Sequence, residues 1–195
     1  MATNHFFAMM SRMKYINRWG LMNCTRSENI SEHSLETAML SHLLVTIHNK
    51  KYGGNLNAER AALLAIYHDS TEILTGDMPT PVKYYNPAIK DAYKEVESYA
   101  ADKLISMLPE YLQDEYEPLL KENEQDKELR IYIKAADKLS ALIKCMEEMR
   151  MGNNEFSKAE QTIIDSLDKM KLPELNDFAN DFMLSYNLTL DEQDS

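Results

Sequence analysis

Four side chains from three separate stretches of the sequence have the types that bind a divalent metal ion. His68 and Asp69 are adjacent, His33 lies upstream of them, and Asp137 lies downstream. Imidazole nitrogens and carboxylate oxygens together suit a divalent first-row transition metal. Such a metal can turn water into a nucleophile at neutral pH. The sequence therefore points to metal-assisted hydrolysis if the fold brings the three stretches together.

The His-Asp pair opens a run with more chemistry in it. This run, HDSTEILTGDMPTPVK at residues 68–83, contains two further carboxylates, Glu72 and Asp77, and then turns sharply through two prolines. On a helix, Glu72 would share a face with His68 because side chains four positions apart lie above one another. Glu72 would then lie beside the bound ion and could act on a water molecule without being a metal ligand.

Each of these residues also has an ordinary structural explanation. A lone buried histidine is more often a hydrogen-bonded core residue than a metal ligand. Glu72 alone is typical of an exposed helix position, and Asp137 alone could pair with Lys138 or Lys144 at the surface. The prediction of a metal site therefore depends on the conjunction and order of the residues.

The composition predicts one helical domain. The chain has 195 residues, 44% of them hydrophobic, with only five glycines and six prolines. So few turn residues leave little room for an all-β fold, whereas helix formers are abundant. A single domain over residues 1–195 is expected, with an acidic tail frayed from about residue 188.

Charge and cysteine content restrict the partners and the location. The net charge of −11 opposes binding to nucleic acid polymers, which depends on neutralising phosphates. No apolar run approaches the ~18 residues of a membrane span, and the N-terminus does not look like a secretion signal. Cys24 and Cys145 could pair, but without a CxxC motif two free thiols in a reducing cytosol are favoured. We therefore expect a cytoplasmic protein.

Capping and stop signals place the helices that must carry the candidate residues. Asn57 and Asn86 have the type that caps a helix start, and Gly53-Gly54 and Gly152-Asn153 are typical helix ends. The predicted helices cover residues 4–18, 31–53, 57–73, 86 onward, a shorter piece after Pro109, 126–150, and one or two over 155–187 broken at Pro173.

Helical periodicity indicates where the candidate residues point. His33 lies along the apolar stripe of the second helix, and His68 shares a face with the small residues Ala61 and Ala65. On the long late helix the predicted core stripe consists of Ile131, Ala135, Leu139, Leu142 and Met146. Asp137 lies outside that stripe among apolar neighbours, where a bound metal would remove the cost of burying an unpaired carboxylate.

The order His, His-Asp, Asp on successive helices resembles the HD-domain metal-dependent phosphohydrolases. The sequence has SEHS around His33, YHDSTE around His68 and Asp69, and KAADKL around Asp137. Four longer runs look like the 5′-deoxynucleotidase branch of that family: INRWGLM (16–22), ENISEHS (28–34), HDSTEILTGDMPTPVKYYN (68–86) and IKAADKLSALIKCMEE (133–148). The similarity covers nearly the whole chain, and GDMPTPVK is much more specific than the His-Asp pair.

The resemblance implies an all-α HD-domain helical bundle with one bound divalent metal. Members of this branch remove the 5′-phosphate from deoxyribonucleoside 5′-monophosphates and act as homodimers. By the same resemblance the metal ligands would be His33, His68, Asp69 and Asp137. Three of these four would also contact the substrate, namely His33, Asp69 and Asp137. The ligand types suit Mn²⁺, Co²⁺, Zn²⁺ or Fe²⁺ and do not choose among them.

The resemblance also implies roles for residues that do not bind the metal. Arg18 would orient the phosphate, since its planar fork of donors matches phosphate oxygens. Trp19 would pack at the sugar and disfavour a ribose 2′-hydroxyl, and Glu72 would act on the attacking water. The nucleotide pocket would be shaped by a short turn consisting of Asp77, Met78, Pro79 and Thr80.

Three other interpretations stay open from the sequence. An HD-type enzyme could act on nucleoside triphosphates or cyclic nucleotides, although the short chain lacks room for the extra elements of larger triphosphohydrolases. A nucleotide-binding protein could hold a structural metal without turnover, although it would have no use for Glu72 beside the metal. A plain helical bundle could carry its His and Asp residues incidentally.

Overall fold

The chain forms a bundle of α-helices, in agreement with the predicted all-α class. The structure, a computed structural model, describes residues 4–83 and 85–194, and the side chain of Thr80 is also outside the described part. The helices are α1 (Phe6–Met10), α2 (Ile30–Lys51), α3 (Ala58–Tyr67), α4 (Glu72–Thr75), α5 (Thr80–Lys83), α6 (Pro87–Ile105), α7 (Glu110–Leu120), α8 (Lys127–Arg150), α9 (Ser157–Asp168), α10 (Pro173–Asp181) and α11 (Leu190–Gln193).

Helices α2, α3 and α8 pack against one another and form the centre of the molecule. Their facing apolar residues are fully buried, and the smallest of them, including Ala61, Ala65 and Ala135, let the helix backbones approach closely. Helices α9 and α10 close one side of this core, against α8 and α2 respectively. The three helices that form the centre are therefore also the ones that carry, or lead directly into, the candidate metal ligands.

Local signals set most helix boundaries where they were predicted. Asn57 accepts a hydrogen bond from the backbone N–H of Arg60 and starts α3, and Asn86 does the same for α6. Gly53 follows α2 with φ 72° and Gly152 follows α8 with φ 83°, and glycine adopts this left-handed conformation without steric cost.

The prediction of one helix over residues 4–18 is wrong. Helix α1 ends at Met10, and a short 3₁₀ turn at Met13–Tyr15 follows it. The chain then pairs with the segment before α2, through an isolated antiparallel bridge between Asn17 and Asn29. This pairing supplies the backbone hydrogen bonds that a continued helix would otherwise have made.

The prediction of an unbroken third helix reaching residue 73 is also wrong. Helix α3 ends at Tyr67, and the chain tightens through residues 68–71 before α4 begins at Glu72. Backbone bonds here join residues three apart, such as Ser70 N–H to the Tyr67 carbonyl and Glu72 N–H to the Asp69 carbonyl. Such bonds belong to a turn that is tighter than an α-helix. His68 and Glu72 therefore do not lie on one continuous helix, as the prediction of a shared helical face assumed.

Two further details differ from expectation. Ile131 is 47% exposed and does not belong to the core stripe of α8, because it lies next to the exposed Lys127 and Lys134 near the start of that helix. The tail that was expected to be frayed contains the short helix α11, where Thr189 and Glu192 form a capping box. That residues 1–195 form one domain stays a prediction.

The described residues agree with the expectations on thiols and membrane spans. Cys24 and Cys145 are both free. Within the described part of the chain, no helix combines the length and the apolar character needed to cross a bilayer.

Candidate metal centre and active site

Four ligand atoms converge where α2, α8 and the turn after α3 meet. The Nε2 atom of His33 lies 3.1 Å from Asp137 Oδ1 and 3.5 Å from Asp69 Oδ2. The Nε2 atom of His68 lies 3.1 Å from Asp69 Oδ2. Ligand atoms that share one ion at about 2.1 Å lie roughly 3 to 3.5 Å from each other. The ligand atoms of His33, His68 and Asp69 all lie within 4.8 Å of one another, which fits a single cation, and Asp137 lies beside them next to His33.

Both imidazole rings are oriented by a hydrogen bond at the nitrogen that faces away from this centre. His33 Nδ1 is 2.9 Å from Ser140 Oγ, and Ser140 Oγ in turn donates to Glu36 Oε2 over 2.6 Å. His68 Nδ1 donates to the Ala65 carbonyl over 2.7 Å. Such bonds fix the ring orientation and leave Nε2 as the free lone pair, as at histidine metal sites generally.

The two inward-facing nitrogens are buried without a hydrogen bond. Among the described residues, neither His33 Nε2 nor His68 Nε2 has a partner of proper geometry. Burying an unsatisfied polar nitrogen costs free energy, and a metal ion that accepts both lone pairs removes that cost. His33, His68 and Asp69 thus form a group that could hold a metal ion, with Asp137 beside it.

Burial shows from which side the centre is accessible. The side chain of His33 is 0% exposed, those of His68 and Asp69 are 12% and 22% exposed, and that of Asp137 is 39% exposed. Asp137 is therefore the most exposed of the four side chains and marks the side of the centre that faces solvent.

The local structure explains how each ligand is positioned. His33 lies in the first turn of α2. There the Asn29 side chain accepts from the backbone N–H groups of Ser31 and Glu32, and the backbone N–H of Asn29 donates to Glu32 Oε2. This capping box fixes the start of the helix. The tight turn that ends α3 lets His68 and Asp69, although adjacent, face the same point.

The charge states of the ligands follow from their surroundings. Burial, and secondarily the positive charge of Arg18, lower the pKa of His33 and favour its neutral form. Burial also disfavours the charged form of His68, but Asp69 outweighs it and raises the pKa of His68 to about 9. A cation that took the Nε2 lone pair would displace that proton. Burial opposes ionisation of Asp69, yet His68, His33 and Arg18 hold its pKa well below the ordinary value.

Glu72 stands next to this centre and is itself buried. Its side chain is in the first turn of α4, and Oε2 has no hydrogen-bond partner among the described residues. Burial, together with the negative charges of Asp69 and Asp77, raises the pKa of the Glu72 carboxyl well above its ordinary range. With a pKa of about 10, this carboxyl would hold its proton at neutral pH until a positive charge, such as that of a bound cation, favoured the carboxylate.

Arg18 and Trp19 directly follow Asn17, in the segment that pairs with the residues before α2. Arg18 Nη1 and Trp19 Nε1 both donate to the same atom, Glu28 Oε2, over 2.8 Å and 2.7 Å. The backbone N–H of Trp19 donates to Asp77 Oδ2 over 3.3 Å. Burial lowers the pKa of Arg18, but Glu28, Asp69, Asp77 and Asp137 outweigh burial and raise it. The guanidinium thus supplies positive charge beside the carboxylates of the centre.

The turn after α4 borders the same region. Gly76 ends α4 with φ 73°, a left-handed conformation that suits glycine. Asp77 accepts from the backbone N–H of Trp19, Met78 and Pro79 follow it as half-buried residues, and α5 begins at Thr80. The predicted contact by the Thr80 side chain lies outside the described residues.

Comparison with known proteins agrees with this geometry. A model of the YfbR-like 5′-deoxynucleotidase family matches residues 5–186. The chain belongs to this family. A 5′-deoxynucleotidase from Photobacterium profundum is 50% identical to it over 192 residues, which cover 98% of this chain and 99% of the relative. The 5′-deoxynucleotidase YfbR of Escherichia coli is 50% identical over 197 residues, which cover 100% and 99%.

Solved structures support the fold of this 5′-deoxynucleotidase family member. An HD-domain phosphohydrolase from Listeria innocua superposes with a TM-score of 0.79 at 22% identity, covering 95% of this chain and 90% of that one. The HD phosphohydrolase DatZ of cyanophage S-2L, solved with dA and one catalytic Zn²⁺, gives 0.63 at 21% identity and covers 92% of both chains. The predicted HD-domain fold, the enzyme class and the family are therefore confirmed.

Two residues that orient candidate side chains of this site were not predicted from the sequence. Ser140 contacts His33, and Glu28 contacts both Arg18 and Trp19. Ser140 could have been found, because it lies three positions after Asp137 and so on the same face of α8. Glu28 is within the ENISEHS run, but nothing in the sequence alone indicates that it faces Arg18.

Proposed function

We propose that this protein is a metal-dependent 5′-deoxynucleotidase, which hydrolyses deoxyribonucleoside 5′-monophosphates to deoxyribonucleosides and phosphate. The observation that carries the proposal is the convergence of two buried, unpartnered imidazole nitrogens with the carboxylates of Asp69 and Asp137. Membership of the 5′-deoxynucleotidase family supports the substrate class.

The metal is held by His33, His68, Asp69 and Asp137. Imidazole and carboxylate ligands suit Mn²⁺, Co²⁺, Zn²⁺ or Fe²⁺, and the catalytic Zn²⁺ in the cyanophage protein makes zinc the first ion to test. When bound, such an ion supplies positive charge to the phosphate and lowers the pKa of water. The open side at Asp137 is where the phosphate enters, so that His33, Asp69 and Asp137 also border the substrate.

Arg18 and Glu72 act on the phosphate and on the water. Arg18 uses one N–H for Glu28, and a guanidinium has five N–H donors, so others stay available for phosphate oxygens. Glu72 accepts the proton of the attacking water, and its Oε2 has no hydrogen-bond partner among the described residues that would compete for this role. The positive charge of the bound ion would lower the raised pKa of Glu72, so that the side chain is a carboxylate when the water attacks.

Trp19 and the turn after α4 bind the nucleoside. The indole of Trp19 forms an apolar wall that offers a ribose 2′-hydroxyl no hydrogen-bond partner, which disfavours ribonucleotides. Asp77, Met78, Pro79 and Thr80 line the remaining part of the pocket. We also infer a homodimer in the cytoplasm, the first from the family resemblance and the second supported by the two free thiols.

A substrate panel tests the proposal. Purified protein loaded in turn with each of the four metals is assayed for phosphate release from matched pairs of deoxy- and ribonucleoside monophosphates, from deoxynucleoside triphosphates and from cyclic nucleotides. The expected result is release from the deoxy monophosphates with a preference over their ribo partners, and a loss of that preference in Trp19→Ala.

The same panel separates the alternatives. Cleavage of triphosphates or cyclic nucleotides with the monophosphates left intact would replace the substrate assignment by another HD-type reaction. Tight nucleotide binding without product under every metal would indicate a silent binding protein.

A further inference from the structure

One carboxylate oxygen joins the two residues that we assign to the phosphate and to the sugar. Glu28 Oε2 accepts from Arg18 Nη1 over 2.8 Å and from Trp19 Nε1 over 2.7 Å. The Glu28 and Arg18 side chains are only 12% and 13% exposed, so solvent competes little for these bonds. We propose that Glu28 is a positioning residue that sets the sugar selectivity of the site by fixing the Trp19 indole relative to Arg18. This inference rests on the proposed function.

The backbone around Glu28 ties this arrangement to the metal centre. The Glu28 carbonyl accepts from the backbone N–H of Arg18 over 2.9 Å, and Ile30 N–H donates to the Ile16 carbonyl over 3.0 Å. The two segments therefore run side by side, and Glu28 lies directly before the capped start of α2, which carries His33. A displacement of the Glu28 side chain would move Arg18 and Trp19 relative to a fixed metal centre.

Trp19 is held from three directions, and Glu28 determines the direction of the indole. Its backbone N–H donates to Asp77, and its ring packs against Phe156 with the centroids 5.3 Å apart. Its φ is 63°, a left-handed conformation that costs a bulky residue free energy and persists only when its surroundings enforce it. An aromatic contact permits sliding, whereas the hydrogen bond from Nε1 to Glu28 fixes the rotation of the ring.

The length of the Glu28 side chain therefore matters more than its charge. Glu28→Asp keeps the charge but withdraws the carboxylate by about one C–C bond, or ~1.5 Å. Bonds of 2.7 Å and 2.8 Å would then exceed the usual limit of a hydrogen bond. Glu28→Gln keeps the length, and its amide oxygen has two lone pairs with which to accept from both donors.

The experiment compares these two variants in the metal-loaded protein. The ratio of kcat/KM for deoxyadenosine monophosphate to that for adenosine monophosphate is measured for each. We expect Glu28→Asp to lower the ratio at least about tenfold, the scale of a lost hydrogen bond to a charged group. Glu28→Gln should stay within about threefold of wild type. Glu147→Gln is the matched control, because Glu147 is exposed and lines the same cavity of about 140 Å³ as Glu28.

Fluorescence gives a readout that does not require turnover. Trp19 is the single tryptophan of the chain, so the emission maximum and quenching by acrylamide report on its surroundings directly. Glu28→Asp should change both, and Glu28→Gln should change neither. Trp19→Phe, which removes the N–H but keeps an aromatic ring, should lower the selectivity ratio as much as Glu28→Asp does, and the double variant should add nothing further.

Where Glu28→Asp folds, either of two results would overturn the inference. One is a Glu28→Asp protein with wild-type emission and a selectivity ratio within threefold of wild type. The other is a loss of selectivity in Glu28→Gln but not in Glu28→Asp, which would assign the effect to charge. If Glu28→Asp does not fold, an unchanged selectivity ratio in Trp19→Phe is by itself enough to refute the inference. Failure of wild type to cleave any deoxynucleotide would instead refute the proposed function, and the emission measurements would still test the position of Trp19.

Discussion

Removing the carboxylate of Glu148 should destabilise the whole protein. Glu148 is fully buried near the end of α8 and receives four hydrogen bonds. Lys144 Nζ and the backbone N–H of Arg26 donate to Oε1, and the Thr25 N–H and Asn153 Nδ2 donate to Oε2. Glu148→Leu keeps a similar volume and deletes all four acceptors.

The expected loss follows from the groups that would be left unpaired. The Lys144 side chain is only 4% exposed, so its ammonium would stay buried without its counter-ion. Breaking a buried ion pair from one side costs about 3 to 5 kcal/mol. Lys144 still donates to the Arg26 carbonyl, which places the expected decrease in the free energy of unfolding near the lower end, about 3 kcal/mol.

Urea unfolding followed by circular dichroism measures this loss. Glu147→Leu serves as the control, since Glu147 is the exposed neighbour of Glu148 on α8 and should change stability by less than about 0.5 kcal/mol. Lys144→Met combined with Glu148→Leu should recover part of the loss, because no charge then stays buried alone. A decrease below about 1 kcal/mol in Glu148→Leu would refute the reasoning, because buried unpaired charges cost more than that.

Glu148 should also make the free energy of unfolding decrease as the pH falls. Burial opposes ionisation of Glu148, but the bonds from Lys144, Thr25 and Asn153 hold its pKa well below the ordinary value. A carboxyl whose folded pKa is depressed stabilises the protein above its unfolded pKa, about 4.3, and loses that contribution as pH falls. The wild type should therefore lose more stability than Glu148→Leu between pH 5 and pH 3, and equal slopes would contradict this.

Three further predictions concern the metal centre. Adding metal at about 100 times its Kd to chelator-treated protein should raise the free energy of unfolding by about 2.7 kcal/mol; a melting curve indifferent to metal would favour the plain bundle. Ser140→Ala should weaken metal affinity about 10- to 100-fold in a competition titration, because His33 loses its orienting partner; unchanged affinity would refute that role. Glu72→Gln should lower phosphate release about 10²- to 10⁴-fold while metal content stays at the wild-type level; loss of metal would make Glu72 a ligand instead.

Features encoded locally could be predicted from the sequence. The caps at Asn57 and Asn86 and the left-handed glycines 53 and 152 depend on a few neighbouring residues, and the structure has them where the sequence indicated. The candidate ligands were found for a related reason. Histidine and aspartate are rare in a core unless a partner or an ion compensates for their polarity. Their order along the chain therefore predicted the site.

Features that depend on packing could not be predicted. Helix α3 ends at Tyr67 without a glycine or proline near its end, so the turn at residues 68–71 has no signal in the sequence. Ile131 looked like a core residue by periodicity, yet it is exposed while Leu129, Tyr132 and Ile133 around it are buried. Glu28 reaches Arg18 and Trp19 only through the pairing of two segments around residues 17 and 29, which no periodicity reveals.

The tight turn between α3 and α4 sets a limit on how this protein can be engineered. Ser70 and Thr71 have modest helix propensity, and a designer seeking thermal robustness would replace them with alanine to fuse the two helices. Fusion would replace the backbone bonds between residues three apart by bonds between residues four apart, and would therefore change the relative directions of Asp69 and Glu72. We expect the fused protein to be more stable but inactive. The turn between α3 and α4 therefore lowers stability in favour of activity.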